Sequence, residues 1–132
     1  MKKLFIITLG MFLFSCKSSQ KIPVSNFEEE EFILAYKKCV LYGCINEATN
    51  NNLTLFSKEN KDLGTAIEVE IIQHQEALVA INKGKELSKK IKKIYYADFE
   101  DKKPIFSTCV SFAFSKETDS IARIVFKNKK MN

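Results

Sequence analysis

Apolar residues follow two regimes along this chain. Leu4 to Phe14 form one largely apolar run, preceded by Lys2 and Lys3 and followed by the polar stretch Lys17 to Pro23. Farther on, apolar positions recur at steps of three and four, the period of helices that face a core. Phe32, Tyr36, Cys39, Val40 and Gly43 share one stripe of a first helix expected over about Phe27 to Ala48, and Asn50 to Asn52 end it. Ser25 and Glu28 have the spacing of a capping box, and Glu28 to Glu31 suit the positive end of a helix dipole. A short helical turn is expected within Leu53 to Asp62.

The clearest amphipathic series is Leu63, Ile67, Ile71, His74, Leu78 and Ile81, which predicts a central helix with these residues inward. Asn82-Lys83-Gly84 should kink or break it, since an interior glycine costs about 1 kcal/mol relative to alanine. A further helix would then carry Leu87, Ile91, Ile94 and Tyr95. Ala97 to Lys103 lacks a period and reads as a loop. Pro104 suits the first turn of a helix to about Phe114, with Phe106, Cys109, Val110 and Ala113 inward. Ser115 is a candidate N-cap for a last helix bearing Ile121, Ile124 and Val125. No strand pattern competes, so the expected fold is all-α: a small bundle of four to five helices stapled by one disulfide.

The first apolar run changes the reading of the whole chain. At about 11 residues it fits a signal peptide and is well short of the roughly 20 that span a bilayer. Leu13-Phe14-Ser15-Cys16 is similar to a lipobox, in which Cys16 is acylated and becomes the mature N-terminus. Residues 1–15 then read as a lipoprotein signal, 16–25 as the lipidated cysteine and a flexible spacer, 26–128 as the helical domain and 129–132 as a basic tail. The predicted location is the bacterial envelope, at the outer membrane and facing the periplasm, because Lys17 does not supply the acidic residue associated with inner-membrane retention. Loss of Lys2 and Lys3 with the signal lowers the formal net charge from +5 to +3. So weak an excess in an exported protein does not argue for nucleic acid. The Lys83 to Lys93 cluster suits a solvated helix face; anionic lipid or the acidic cell wall is its alternative partner.

With Cys16 lipidated, three cysteines face an oxidising compartment. Cys39 and Cys44, five apart in one helix, point about 140° apart and cannot bridge each other without unwinding it. Cys109 is then the shared partner, and the central place of Cys39 in its stripe predicts a Cys39 to Cys109 bond. His74 is the only histidine. Its core-facing step suggests a buried or half-buried side chain, and one histidine assembles neither a zinc site nor a convincing nucleophile–base pair. No phosphate loop or carboxylate pair stands out, so neither catalysis nor a cofactor is expected. Binding remains. The loop tip Asp98-Phe99-Glu100-Asp101 joins an aromatic anchor to carboxylates, a candidate plug for a basic cleft on a partner, although a solvated loop with Phe99 packed inward explains it as well.

Tyr36-Lys37-Lys38-Cys39, together with Cys109, Ser115, Asp119, Ile121 and Ala122, resembles the type VI secretion amidase immunity proteins. The likeness covers two short segments. It implies a helical fold, a Cys39 to Cys109 bridge, dimerisation into a homodimer, and inhibition of a peptidoglycan amidase by occlusion of its Cys/His active site. The lipid anchor and the Lys-rich central segment depart from that pattern. The alternative is a structural or accessory envelope lipoprotein that docks a protein complex or the cell wall.

Overall fold

A computed structural model describes residues 24–94 and 102–131, with side chains from residue 28 onward. The chain is all-α, with six helices among the described residues: α1 (Val24–Ala48), α2 (Asn52–Glu59), α3 (Ala66–Ile72), α4 (His74–Ser88), α5 (Ile105–Ala113) and α6 (Lys116–Met131). At 1.5 Å per residue, α1 is roughly 37 Å long and sets the length of the bundle.

The other helices surround α1. From Asn52 the chain runs back along it: Thr65 lies beside Leu41 and Ile45, Glu68 pairs with Lys38, and Ile71 lines a cleft with Phe32. Helix α4 returns in the direction of α1, ending near Cys44 and Ala48, where Ile91 is buried. Helices α5 and α6 then descend in succession, α5 beside the C-terminal half of α1 and α6 beside its N-terminal half. Two clusters form the core. The larger joins Phe32, Ile33, Tyr36, Cys39, Val40, Ile72, Ala77, Ala80, Ala113, Ala122 and Phe126; the smaller joins Cys44, Ile91 and Cys109.

Helix α1 begins at Val24, so Ser25 stands inside it rather than at its cap. The acids Glu28 to Glu31 fall beyond the first turn, and three of them pair with α6 instead. Asn50 and Asn51 take left-handed backbone angles after α1, a conformation that asparagine tolerates better than most residues. Buried Asn46 fixes this corner. Its amide oxygen accepts from the Thr54 backbone N–H at 2.9 Å and its Nδ2 donates to Asn51 Oδ1 at 2.9 Å.

The central series is corrected. The break falls at Gln73, with φ 73°, not at Gly84, and it divides the expected long helix into α3 and α4. Leu63, Ile67, His74 and Leu78 are consequently exposed, with Leu63 67 % accessible. The buried side of α4 is instead Ala77, Ala80, Gly84 and Leu87. Small residues are required there because α1 crosses at backbone contact: a Cβ on Gly84 would lie 2.1 Å from the Val40 carbonyl oxygen, and one on Gly43 2.1 Å from that of Ile81. Gly84 therefore sits within a helix that passes straight through it to Ser88, and no separate helix carries Leu87 and Ile91.

The expected disulfide is also corrected. Cys44 bonds Cys109, with Cα atoms 5.7 Å apart, and Cys39 is a free buried thiol. Helix α1 is covered on several sides at once, by α3, α4, α5 and α6, so Cys39 and Cys44 are both fully buried. Position within one apolar stripe then does not select the partner. The neighbour does: α5 lies against the last turns of α1, where Cys44 reaches Cys109. In α5 only Cys109 and Ala113 of the expected inward set are buried, and Phe106 is 69 % exposed. Ser115 does cap α6, its Oγ accepting from the Thr118 N–H at 3.2 Å. In α6 the fully covered residues are Thr118, Ala122 and Phe126; Ile121 and Val125 pack at the core edge and Ile124 is exposed.

Candidate functional site

The groups that would perform covalent chemistry are separated or closed off. Exposed His74 stands at the start of α4, because the turn at Gln73 rotates it away from the core. Cys44 is held in the disulfide. The Cys39 thiol is pushed up to about 12 by burial, with the Glu68 carboxylate adding to the effect, so it remains protonated at neutral pH. Tyr36, one turn before it, is raised by burial and by Cys39, and its buried hydroxyl has no hydrogen-bond partner among the described residues. No group of three or more His, Cys, Asp or Glu with metal-binding geometry occurs among the described residues. Cys16 and the Asp98-Phe99-Glu100-Asp101 tip lie outside the described residues.

Charge is distributed differently at the two ends of the bundle. At the end where α1 starts, Arg123 donates to Glu29 and Glu30 on α1 and to Asp119 on its own helix, each at 2.9 Å. Lys37 also donates to Asp119, at 2.5 Å. The hydrogen bond from Lys37, followed by that from Arg123, holds the Asp119 carboxyl below the usual carboxylate range. Hydrogen bonds to Glu30, Asp119 and Glu29 raise the Arg123 guanidinium in turn. Beside this network is a cleft of about 370 Å³ with Phe32, Ile71 and Phe126 as its floor. Lys129 and Lys130 lie over the Phe32 and Phe126 rings at 5.6 and 4.6 Å, and Lys130 pairs with Glu28 at 3.6 Å. Basic and acidic groups here largely satisfy one another.

The opposite end has the reverse character. After α4 the chain turns through Lys89 and Lys90, buries Ile91 against the disulfide cluster, and continues through Lys92 to Ile94. The Ile94 N–H donates to the Lys102 carbonyl at 3.1 Å, which places Lys102 and Lys103 beside that segment. Ile105 packs on the same disulfide cluster and fixes the start of α5. Lys89, Lys90, Lys92, Lys102 and Lys103 are exposed, and none forms an ion pair among the described residues. Phe106 and Ile94 are exposed next to them in the chain. In the sequence, Lys89, Lys90 and Lys92 belong to the cluster expected on a helix face, and Lys102 and Lys103 to a loop. The contact that gathers them, between residues 94 and 102, is a loop contact with no periodic signal.

Comparisons with family models, curated proteins and solved structures returned no match. Within the structure, the two segments that carry the resemblance to amidase immunity proteins meet: Lys37 of the first pairs with Asp119 of the second. Ser115 caps α6, Ala122 is buried and Ile121 packs at the core edge. Those residues hold helices together. The bridge implied by the resemblance is replaced by Cys44 to Cys109.

Proposed function

We propose that this chain is a lipid-anchored envelope lipoprotein whose helical domain acts by holding a partner, without catalysing a reaction. The observation that carries this reading is the polarity of the bundle. The lipobox-like Cys16 precedes the start of α1 by eight residues, which reach at most about 28 Å when extended. The exposed lysine corner lies at the other end of α1, roughly 37 Å farther along the helix. A tether at one end and exposed positive charge at the other suit a module that projects from a membrane toward a partner. No described helix is long and apolar enough to cross a membrane. The buried Cys39, the bridged Cys44 and the isolated His74 support a non-catalytic role.

The test is intact-mass measurement of the protein recovered from membranes. The reading expects cleavage before Cys16 and a mass increment of two or three acyl chains, with Cys16→Ser shifting the protein to the soluble fraction. A wild-type protein that is soluble and unacylated would sink it.

A second reading, an immunity protein against a peptidoglycan amidase, is favoured by the Lys37–Asp119 pair that joins the two resembling segments. It expects complete loss of amidase activity at equimolar domain. An amidase that stays active in excess domain would remove it. The resembling residues that the structure describes are structural, so they do not designate the toxin-binding face.

A further inference from the structure

We infer that the lysine corner at the far end of the bundle is a docking site for the carboxylate-bearing peptides of the cell wall. This deepens the envelope reading and rests on it. Lys89, Lys90, Lys92, Lys102 and Lys103 outnumber Asp98, Glu100 and Asp101 of the connecting segment, so the corner keeps a positive balance whichever of them those acids meet. The lysine-bearing segments are held in place: Ile91 and Ile105 pack on the Cys44–Cys109 cluster, and the Ile94 N–H to Lys102 carbonyl bond joins them. A scaffold locked by a disulfide presents its charges at a fixed place.

Three observations select the partner. First, the corner faces away from the tether by the length of α1, so lipid of the anchoring leaflet is out of its reach when α1 stands upright. Second, every cation in the corner is lysine, while the chain's single arginine is engaged in the α1–α6 network. Lysine is a hydrated point charge that suits dispersed carboxylates, whereas arginine's planar fork suits fixed bidentate recognition. Third, exposed Phe106 and Ile94 add apolar surface that a sugar ring or the aliphatic part of a short peptide would cover. A cross-linked glycan bearing peptide carboxylates has both kinds of group.

The experiment is co-sedimentation of the mature protein with purified peptidoglycan sacculi at 50 and 500 mM salt. Binding is expected at low salt and should weaken strongly at high salt, where the screening length is only a few ångström. Each lysine near an anionic surface is expected to contribute about fivefold. The variant Lys89→Gln/Lys90→Gln/Lys102→Gln/Lys103→Gln should therefore lose at least about a hundredfold in affinity. The control Lys116→Gln/Lys127→Gln, which alters exposed lysines of α6, should lose less than about threefold. Amidation of the wall carboxylates should abolish binding by the unaltered protein. Equal binding by the quadruple variant, indifference to amidation, or binding to anionic phosphatidylglycerol vesicles in place of sacculi would overturn the inference. Acylation is read separately by intact mass, so failure of the tether and failure of wall binding give different results.

Discussion

The two ends of the bundle use the same residue types to opposite ends. Where α1 begins, Arg123, Lys37 and Lys130 bind Glu28, Glu29, Glu30 and Asp119, and the charges join α6 to α1. Where α1 finishes, the helices are joined by a disulfide and apolar contacts, and Lys89, Lys90, Lys92, Lys102 and Lys103 around them form no ion pair among the described residues. Covalent and apolar attachment at that end leaves its charge available to a partner. Composition alone does not distinguish such ends; the pairing does.

Breaking the disulfide should have the largest effect. It closes a loop of 65 residues, so in the chain-entropy model its loss costs about 4 kcal/mol, a large share of the stability of a small domain. Denaturant unfolding of Cys44→Ser/Cys109→Ser should show this, with the lysine corner loosening before the α1–α6 end by hydrogen exchange. Cys39→Ser should not reproduce the loss of a crosslink, and its thiol should resist iodoacetamide until the chain unfolds.

The crossing of α1 and α4 comes next. Gly84→Ala places a methyl group against the Val40 backbone carbonyl, where no flexible side chain can give way. A loss of about 3 kcal/mol is expected, the upper part of the overpacking range, readable as a lowered urea midpoint. An unchanged midpoint would mean that the two helices separate easily.

A smaller, pH-dependent effect should appear at the start of α1. Asp119 is held below its ordinary value of 3.8, so its contribution is fully present above that value. It is lost as pH falls below 3.8 and through the lower folded value. Asp119→Asn should remove this part of the acid dependence while leaving stability near pH 10 insensitive to pH at this site. The smallest change is expected for Phe106→Ala. Its side chain is 69 % exposed, so stability should shift by less than about 0.5 kcal/mol while wall binding falls.

Much of the architecture was legible in the sequence, because the asparagines after α1 and Ser115 before α6 mark helix boundaries, although the capping-box pattern at Ser25 did not mark the start of α1. Ser115 caps as its position suggests, and the all-α class follows from sustained helical steps. The interior of the fold was harder to read for one physical reason: its tightest contact is made by small residues. Ala77, Ala80 and Gly84 face α1 and leave Leu63, Ile67 and Leu78 outside, so a count of large apolar side chains points to the wrong face. Gly84 looks like a breaker until the Val40 carbonyl is found where its side chain would be. The same limit applies to the cysteines, since a helix covered on several sides has no single inward stripe. The lysines of the candidate site were visible as a run, but their assembly depends on the contact between Ile94 and Lys102.

The most direct test of the proposal that one end of the bundle faces the membrane and the other the wall is photo-crosslinking in living cells from two positions, Phe106 and Lys127, each replaced by a photoreactive residue. Wall-derived adducts are expected from position 106 and phospholipid adducts concentrated at position 127. Phospholipid adducts from position 106 with wall adducts from 127 would contradict the proposal, because the bundle would then stand the other way round.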